Sequence, residues 1–214
     1  LRMDGIDIAG ITESWANEDI NDAELHVSGF NLFRADRTGA KGGGLLLYIN
    51  EKLEASYNQH MLTSTEGFKE SLWCDVATGG GRFLVGICYR SPRSDAQNNG
   101  ELLAVIEEAV LRAGADRVMI MGDFNYPEIE YHNGLVRAAN GADPARFFDR
   151  TQELCLFQVV DQPTRVRQGQ NPSILDYVFI DEENTIEEIV YGPPLGKSDH
   201  VVLEWRVVVS VKKI

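Results

Sequence analysis

Val118-Met119-Ile120-Met121-Gly122-Asp123-Phe124-Asn125 is the stretch from which the rest of the chain can be read. Four apolar residues in succession, with Asp116-Arg117 before them and Asn125-Tyr126-Pro127 after, fit a strand buried on both faces that stops in a polar turn. Gly122 removes the side chain where the backbone has to bend, and the strand exit then carries Asp123 and Asn125 facing one way. Such an exit can hold a metal, a water or a phosphate. A strand-ending Asx turn satisfies the same residues, so the stretch alone leaves both readings open.

Outward from this strand the pattern is mostly sheet. Residues 6–12 alternate and end in Glu13-Ser14-Trp15, residues 30–35 make a second short strand, and Gly42-Gly43-Gly44 launches the unbroken apolar run 45–50, which implies burial between layers. Residues 53–58, 71–77 and 82–89 continue the series, with Thr78-Gly79-Gly80-Gly81 as a hairpin turn between the last two. The clearest helix is 101–113, with Leu102, Leu103, Ile106, Ala109 and Val110 on one face, Glu107, Glu108 and Arg112 on the other, and Gly114 closing it. A second helix is expected over 144–156, with Pro144 in its first turn and Phe147, Phe148, Leu154 and Cys155 inward. Three strands follow, over 174–180, 185–191 and 201–209. The expected class is α+β: two packed, mostly antiparallel sheets with helices outside, a four-layer sandwich forming a single domain over 1–214.

Composition sets the bounds. With 214 residues and 43% hydrophobic content the chain can bury a sizeable core, so disorder is not expected. No run reaches the roughly 18 apolar residues of a membrane span, and no signal peptide is visible, so a soluble protein without a membrane partner is expected. Opening mid-pattern at Leu1-Arg2-Met3-Asp4, the chain reads as a piece of something longer. Cys74, Cys88 and Cys155 are odd in number, widely spaced and set in apolar surroundings, which points to reduced core thiols rather than a disulfide framework or a zinc knuckle. The net charge of −13, taken as a total, argues against a nucleic-acid partner.

Ionisable residues recur where strands end. Glu13 follows one strand, Tyr89 another, and Asp123 with Asn125 a third; Asp176 lies within the apolar run Ser173-Ile174-Leu175-Asp176-Tyr177-Val178-Phe179, where a carboxylate is costly unless partnered. Ser198-Asp199-His200 immediately precedes Val201-Val202-Leu203. Taken singly, His200 reads as a structural hydrogen-bonder and Asp176 as a loop tie. Together they form a working inventory. Glu13 and Asp199 are hard oxygen ligands suited to Mg²⁺, Asp123 and Asn125 can orient and deprotonate a water, and Asp176 can hold His200 in the state that stabilises a pentavalent phosphate. The chemistry implied is metal-assisted phosphodiester hydrolysis.

These motifs resemble, in order, those of the endonuclease/exonuclease/phosphatase superfamily: Thr12-Glu13-Ser14-Trp15, Tyr89-Arg90-Ser91-Pro92, Gly122-Asp123-Phe124-Asn125, Leu175-Asp176-Tyr177-Val178 and Ser198-Asp199-His200. Within it, Gly42-Gly43-Gly44-Leu45, Gln162-Pro163-Thr164-Arg165 and the run from Pro193 to His200 look most like the apurinic-type endonuclease domain of LINE-type (non-LTR) retrotransposon polyproteins. The resemblance implies a DNase I-like fold and an intracellular, nuclear, Mg²⁺-dependent DNA endonuclease (Mn²⁺ as a substitute). It would nick target DNA and leave a 3′-hydroxyl primer for reverse transcription, within a larger polyprotein carrying the reverse transcriptase. It further implies that Glu13 is the principal metal ligand with Asp199 in support, and that Asp123 is the general base with Asn125 beside it. His200 would stabilise the phosphate and be oriented by Asp176, Tyr89 would touch the scissile phosphate, and Thr164 and Ser198 would make hydrogen bonds at the site or to DNA.

Two further expectations follow. The family begins with an additional strand ending in an Asn, in a motif like Asn-Ala-Arg-Ser, which supplies part of the metal site. This chain starts after that point, so it reads as N-terminally truncated, and its unpaired strand edges would await another segment or another copy. Arg34, Arg37, Lys41, Arg90, Arg93, Arg165, Arg167 and Lys197 all fall in loops beside the motifs, an expected basic rim for phosphate contacts, with Arg90, Arg165 and Lys197 as substrate-binding residues. The competing functions are a phosphatase or phosphodiesterase of the same superfamily and a catalytically weakened or inactive nucleic-acid- or protein-binding module.

Overall fold

The computed structural model describes residues 5–37, 39, 41–64, 67–114, 116–167 and 169–208. In chain order its elements are β1 (Ile8–Thr12), α1 (Asp22–Leu25), β2 (Phe30–Ala35), β3 (Leu45–Asn50), β4 (Glu54–Tyr57), α2 (Gln59–Ser64), β5 (Ser71–Thr78), β6 (Gly81–Tyr89) and α3 (Ala96–Ala113). There follow β7 (Arg117–Asp123), β8 (Ile129–Glu130), a 3-10 turn Tyr131–Asn133, β9 (Leu135–Val136), α4 (Asp143–Glu153), β10 (Phe157–Gln158), β11 (Asp176–Ile180), β12 (Val190–Gly192) and β13 (Val202–Glu204). The large sheet has the order β10-β11-β7-β6-β5-β4; facing it are β1-β3-β2 and the hairpin β12-β13, and β8-β9 is a small separate pair.

Alternation along the strands builds the layers. On β6, Phe83, Val85, Ile87 and Tyr89 point into the space between sheets, as do Met119 and Met121 of β7 and Val178 and Ile180 of β11. Leu45, Leu47 and Ile49 of β3 meet them from the facing sheet. The intervening residues Leu84, Cys88, Val118, Ile120, Tyr177 and Phe179 point the other way, onto Leu102, Val105, Ile106 and Ala109 of α3 and Phe147 of α4. Outside the small sheet, Leu46 and Tyr48 pack with Phe30 and with Leu25 of α1. The result is helix, sheet, sheet, helix.

The helix-side core is aromatic. Phe124 stacks on Tyr177 with centroids 5.5 Å apart and meets Phe147 and Phe179 at 5.4 and 5.5 Å. Such pairs add about 0.5–1.5 kcal/mol each beyond area burial. Phe124 immediately follows the end of β7, so this packing anchors the loop that carries the polar strand exit.

Several sequence expectations need correction. The first long helix begins at Ala96 rather than at 101, because the Asp95 side chain caps it by accepting from the Asn98 amide, and a cap leaves no mark in apolar periodicity. The second ends at Glu153, and Cys155, expected inward, has φ 55 and is exposed. The short helices α1 and α2 carry too little amphipathic pattern to be read from sequence. Residues 185–191 do not form a continuous strand. Only Val190–Gly192 pairs, with β13, while Ile186 makes one isolated bridge to Val207 and reaches the core singly. The strand read over 201–209 is confined to Val202–Glu204; Val209, like Leu1-Arg2-Met3-Asp4, lies outside the described residues. Among the described residues β1 is bonded only to β3, and β13 only to β12.

The thiols divide accordingly. Burial pushes Cys74 up to about 12 and raises Cys88 further, so both are inert as nucleophiles, whereas Cys155 is open to solvent. A thiol reagent should therefore label one cysteine rapidly in the native protein and all three after denaturation; rapid labelling that persists in a Cys155→Ser variant, or two fast thiols in the wild type, would contradict this packing.

Candidate active site

Three adjacent strands of the large sheet end together. β6 and β7 are parallel with Tyr89 opposite Asp123, and β7 and β11 are antiparallel with Asp176 opposite Asp123. By the alternation above, Tyr89, Asp123 and Asp176 share the parity of Ile87, Met121 and Val178, so they leave the sheet on the side of the opposing layer. That layer supplies the remaining groups. Glu13 follows β1, and His200 precedes β13. The site is thus the mouth between two sheets.

Gly122 sets the spacing. With φ 146 it takes a conformation other residues rarely adopt, and a Cβ there would collide with the Cys88 carbonyl. This close approach of β7 to β6 holds the Tyr89–Asp123 pair in register. Past the turn, Asn125 has φ 51; its backbone N–H donates to Asp123 Oδ1 at 3.1 Å, and its Nδ2 donates to the Arg90 carbonyl at 2.9 Å. Asn125 therefore stays beside Asp123 and braces it, with its side chain tied to Arg90 as well.

Asp123 is 4% exposed. Burial first, and the negative charge of Asp176 second, push its pKa up to about 8, with His200 and the Asn125 hydrogen bonds opposing. His200 Nδ1 lies 2.7 Å from Asp176 Oδ2. Burial lowers the imidazole pKa, but the Asp176 hydrogen bond and charge outweigh it and leave it raised. Asp123, Asp176 and His200 each offer a ligand atom, all within 4.8 Å of one another. Tyr89 donates to Glu13 Oε1; burial, then the bond to Glu13, raise the phenol so that it remains a donor.

Other expected residues are engaged within the protein. Thr164 is fully buried, and its Oγ1 accepts from the Leu175 and Asp176 amides at 3.0 and 3.1 Å, which fixes the start of β11. Ser198 Oγ accepts from the His200 amide at 3.0 Å. Asp199 accepts from Arg165 Nε at 2.9 Å; burial would raise its pKa, but this guanidinium brings it below the ordinary value. Asp199 is thus spent on Arg165 and stands outside the cluster of Asp123, Asp176 and His200.

The expected basic rim is smaller than the sequence implies. Arg34 is paired with Asp22 and Asp36, and Arg37 with Glu70. Arg90 is only 7% exposed: its Nε donates to Asn99 Oδ1 at 2.7 Å, its Nη1 to the carbonyls of Phe124 and Asn125, and it lies 3.9 Å from the Tyr126 ring centroid. It is a clamp under the Phe124-Asn125 turn. Lys41, Arg93, Arg167 and Lys197 stay exposed. Asn99, which completes the clamp, escaped the sequence reading because a polar residue on a helix carries no motif; it can be found only once α3 packs beneath the loop.

Comparison with known proteins now bears on this geometry. The family model described as endonuclease-reverse transcriptase matches residues 83–204, more than half of the chain. The chain belongs to the endonuclease-reverse transcriptase family. With it the endonuclease/exonuclease/phosphatase resemblance stands, and most of β6 and all of β7 through β13 fall inside the matched family segment. Among solved structures, the endonuclease domain of TRAS1, a telomere-specific non-LTR retrotransposon, superposes with TM-score 0.71 at 16% identity, covering 95% of this chain and 86% of that one. The AP endonuclease LMAP of Leishmania major gives 0.69 at 14% identity over 96% and 80%, and the Xenopus laevis APE2 catalytic domain 0.65 at 12% identity over 96% and 86%. At these identities the likeness is one of fold, the DNase I-like sandwich. A search of curated proteins finds no match. No described helix is long and apolar enough to cross a membrane.

A raised carboxyl pKa carries a sign for stability. Asp123 titrates near pH 4 in the unfolded chain and near 8 in the fold, so the advantage of its neutral form is complete below pH 4 and lost as pH rises through about 8. Asp123→Asn should therefore raise the thermal midpoint at pH 8 by roughly 3 °C or more in the absence of divalent metal, with the gap closing towards pH 4. Equal midpoints at pH 8 would show that Asp123 is not held at an electrostatic cost.

Proposed function

We propose that the chain is a Mg²⁺-dependent DNA endonuclease, with Mn²⁺ able to substitute, that hydrolyses one phosphodiester bond and leaves a 3′-hydroxyl from which reverse transcription is primed. The observation that carries this reading is the convergence of Tyr89, Asp123 and the Asp176–His200 pair at three adjacent strand ends. Family membership and the endonuclease names of the structural neighbours support it. DNA and a polyprotein carrying reverse transcriptase are the proposed partners.

The donors fit a hard divalent cation. Asp123 and Asp176 offer oxygen ligands with the His200 imidazole, all within 4.8 Å, Glu13 adds a carboxylate at Tyr89, and Asp123, raised by burial and then by Asp176, is a group whose negative charge a cation would offset. Glu13, the carboxylate that accepts from the Tyr89 hydroxyl, is the residue that would hold the ion, which leaves Asp123 to act on water. A bound Mg²⁺ supplies charge stabilisation at the phosphoryl oxygens and acidifies water.

The chain's own residues do the rest. Asp123, held by the Asn125 amide, takes the proton of a water as its oxygen forms the new bond to phosphorus. The bond from phosphorus to the 3′-oxygen breaks, and that oxygen takes up a proton from water and leaves as the 3′-hydroxyl opposite a 5′-phosphate. Asp176 favours the protonated imidazole of His200, which donates to a phosphate oxygen where negative charge develops. The Tyr89 hydroxyl donates its one proton to Glu13 here, and with Glu13 engaged on the ion it would turn that proton to the same phosphate and orient it. Lys41, Arg93, Arg167 and Lys197 are the exposed cations available to backbone phosphates.

Supercoiled plasmid should be converted to the nicked form with Mg²⁺ and not with EDTA, Asp123→Asn and His200→Ala should each lower the rate about 100-fold or more, and a polymerase should extend the nick without prior phosphatase treatment. Nicking that survives Asp123→Asn would remove the proposed base, and nicks that a polymerase extends only after phosphatase treatment would reverse the proposed polarity.

A further inference from the structure

Two residues past Glu13 stands Trp15, whose side chain is 54% exposed on a backbone at φ 57. Neither feature helps folding. A left-handed conformation is unfavourable for a non-glycine residue, and an exposed indole leaves apolar surface in water. Glu13 in the same turn has φ 50. Strain of this kind persists only where the surroundings impose it.

The surroundings are specific. Trp15 N–H donates to the Gly43 carbonyl at 2.9 Å, Ser14 N–H to the Gly44 carbonyl at 3.1 Å, and the amide of buried Ala16 to Ser14 Oγ at 3.3 Å. A Cβ at Gly44 would lie 2.8 Å from Ser14 Oγ, and one at Gly43 would collide with Glu70 and Arg37. Glu70 in turn accepts from the Gly44 amide at 3.2 Å and pairs with Arg37, whose guanidinium lies 5.5 Å from the Tyr89 ring centroid. A continuous set of contacts therefore fixes Trp15 relative to Tyr89. Lys41 Nζ lies 5.5 Å from the Trp15 ring centroid and adds a positive charge to the exposed aromatic.

A rigid, exposed indole next to a cation suits a nucleotide, by ring stacking and charge together. Within a duplex the base faces are covered by their neighbours and only the edges reach the grooves, so an indole face can meet a base face only where the nucleotide is unstacked. We propose that Trp15 is a stacking platform for an unpaired nucleobase next to the scissile phosphate, with Lys41 beside it contacting the DNA backbone. This rests on the nuclease reading above. The preferred substrate is then DNA with a single-stranded or mismatched nucleotide adjacent to the cut, and Trp15 is a specificity residue that takes no part in the chemical step.

The test compares wild type, Trp15→Ala, Trp15→Phe and Lys41→Ala on two matched oligonucleotides, one fully paired and one with a single unpaired nucleotide at the cleavage position. Wild type should cut the second several-fold better in kcat/KM. Trp15→Ala should lose that preference through a KM about ten-fold higher, with kcat within two-fold, while Trp15→Phe keeps most of it and Lys41→Ala raises KM on both. Saturating unpaired oligonucleotide should quench wild-type tryptophan fluorescence, and the quench should vanish in Trp15→Phe, which retains Trp73 and Trp205. Because the indole is exposed, Trp15→Ala should melt no lower than wild type. Wild type that nicks DNA while Trp15→Ala matches it in KM and preference overturns the platform and leaves the nuclease intact; wild type that neither binds nor cuts DNA overturns both.

Discussion

The approach of β7 to β6 at Gly122 is the constraint on which the site depends. Parallel pairing already places the two strand ends at the same edge, because α3 carries the chain back across the sheet before β7 begins. What glycine adds is the last step of closeness: with no Cβ to meet the Cys88 carbonyl, β7 reaches Tyr89 in register and delivers Asp123 beside it. Antiparallel pairing with β11 then sets Asp176 on the other side. One small residue thus aligns three functional ones.

Around this alignment the protein holds a charge balance that does not favour folding. Asp123 is buried next to Asp176, and Asp176 is committed to His200, so Asp123 sits in surroundings that disfavour its ionisation. The arrangement is tolerated because rigid groups close it on every side. Arg90 clamps the turn below, Thr164 holds the start of β11, and Phe124 sinks into the aromatic core. Residues that look in sequence like contacts for a substrate are here the scaffold of the reacting groups. The same holds for the Glu13 turn, whose two left-handed residues are imposed by the glycines at 43 and 44.

Charge distribution is a case in which the tertiary structure revises a sequence inference. Eight basic residues beside the motifs suggest a rim, but loops that bring arginines near the site also bring Asp22, Asp36, Glu70 and Asp199, and the shorter distances win. Of the eight, Lys41, Arg93, Arg167 and Lys197 stay exposed. Long-range attraction of a polyanion is correspondingly modest for a chain of net charge −13, which places more of the recognition on short-range contacts near the site.

The sequence by itself determined every strand of the large sheet except the two-residue β10, the α+β class and the order of the motifs, because those rest on local apolar alternation and on residue types that chemistry restricts. Asp123, Asp176 and His200 were singled out by the ordered motifs taken as a set, since each alone has an ordinary structural use, and it is the fold that brings their ligand atoms within 4.8 Å of one another. Tertiary structure alone decided which of the polar residues face the site. Asn125 reaches back to Arg90, Asp199 is taken by Arg165, and Thr164 is buried, each through a partner 35, 34 or at least 11 residues away in sequence. Hydrogen bonds over such separations depend on how the layers pack, and nothing in the local pattern of a single chain encodes that packing.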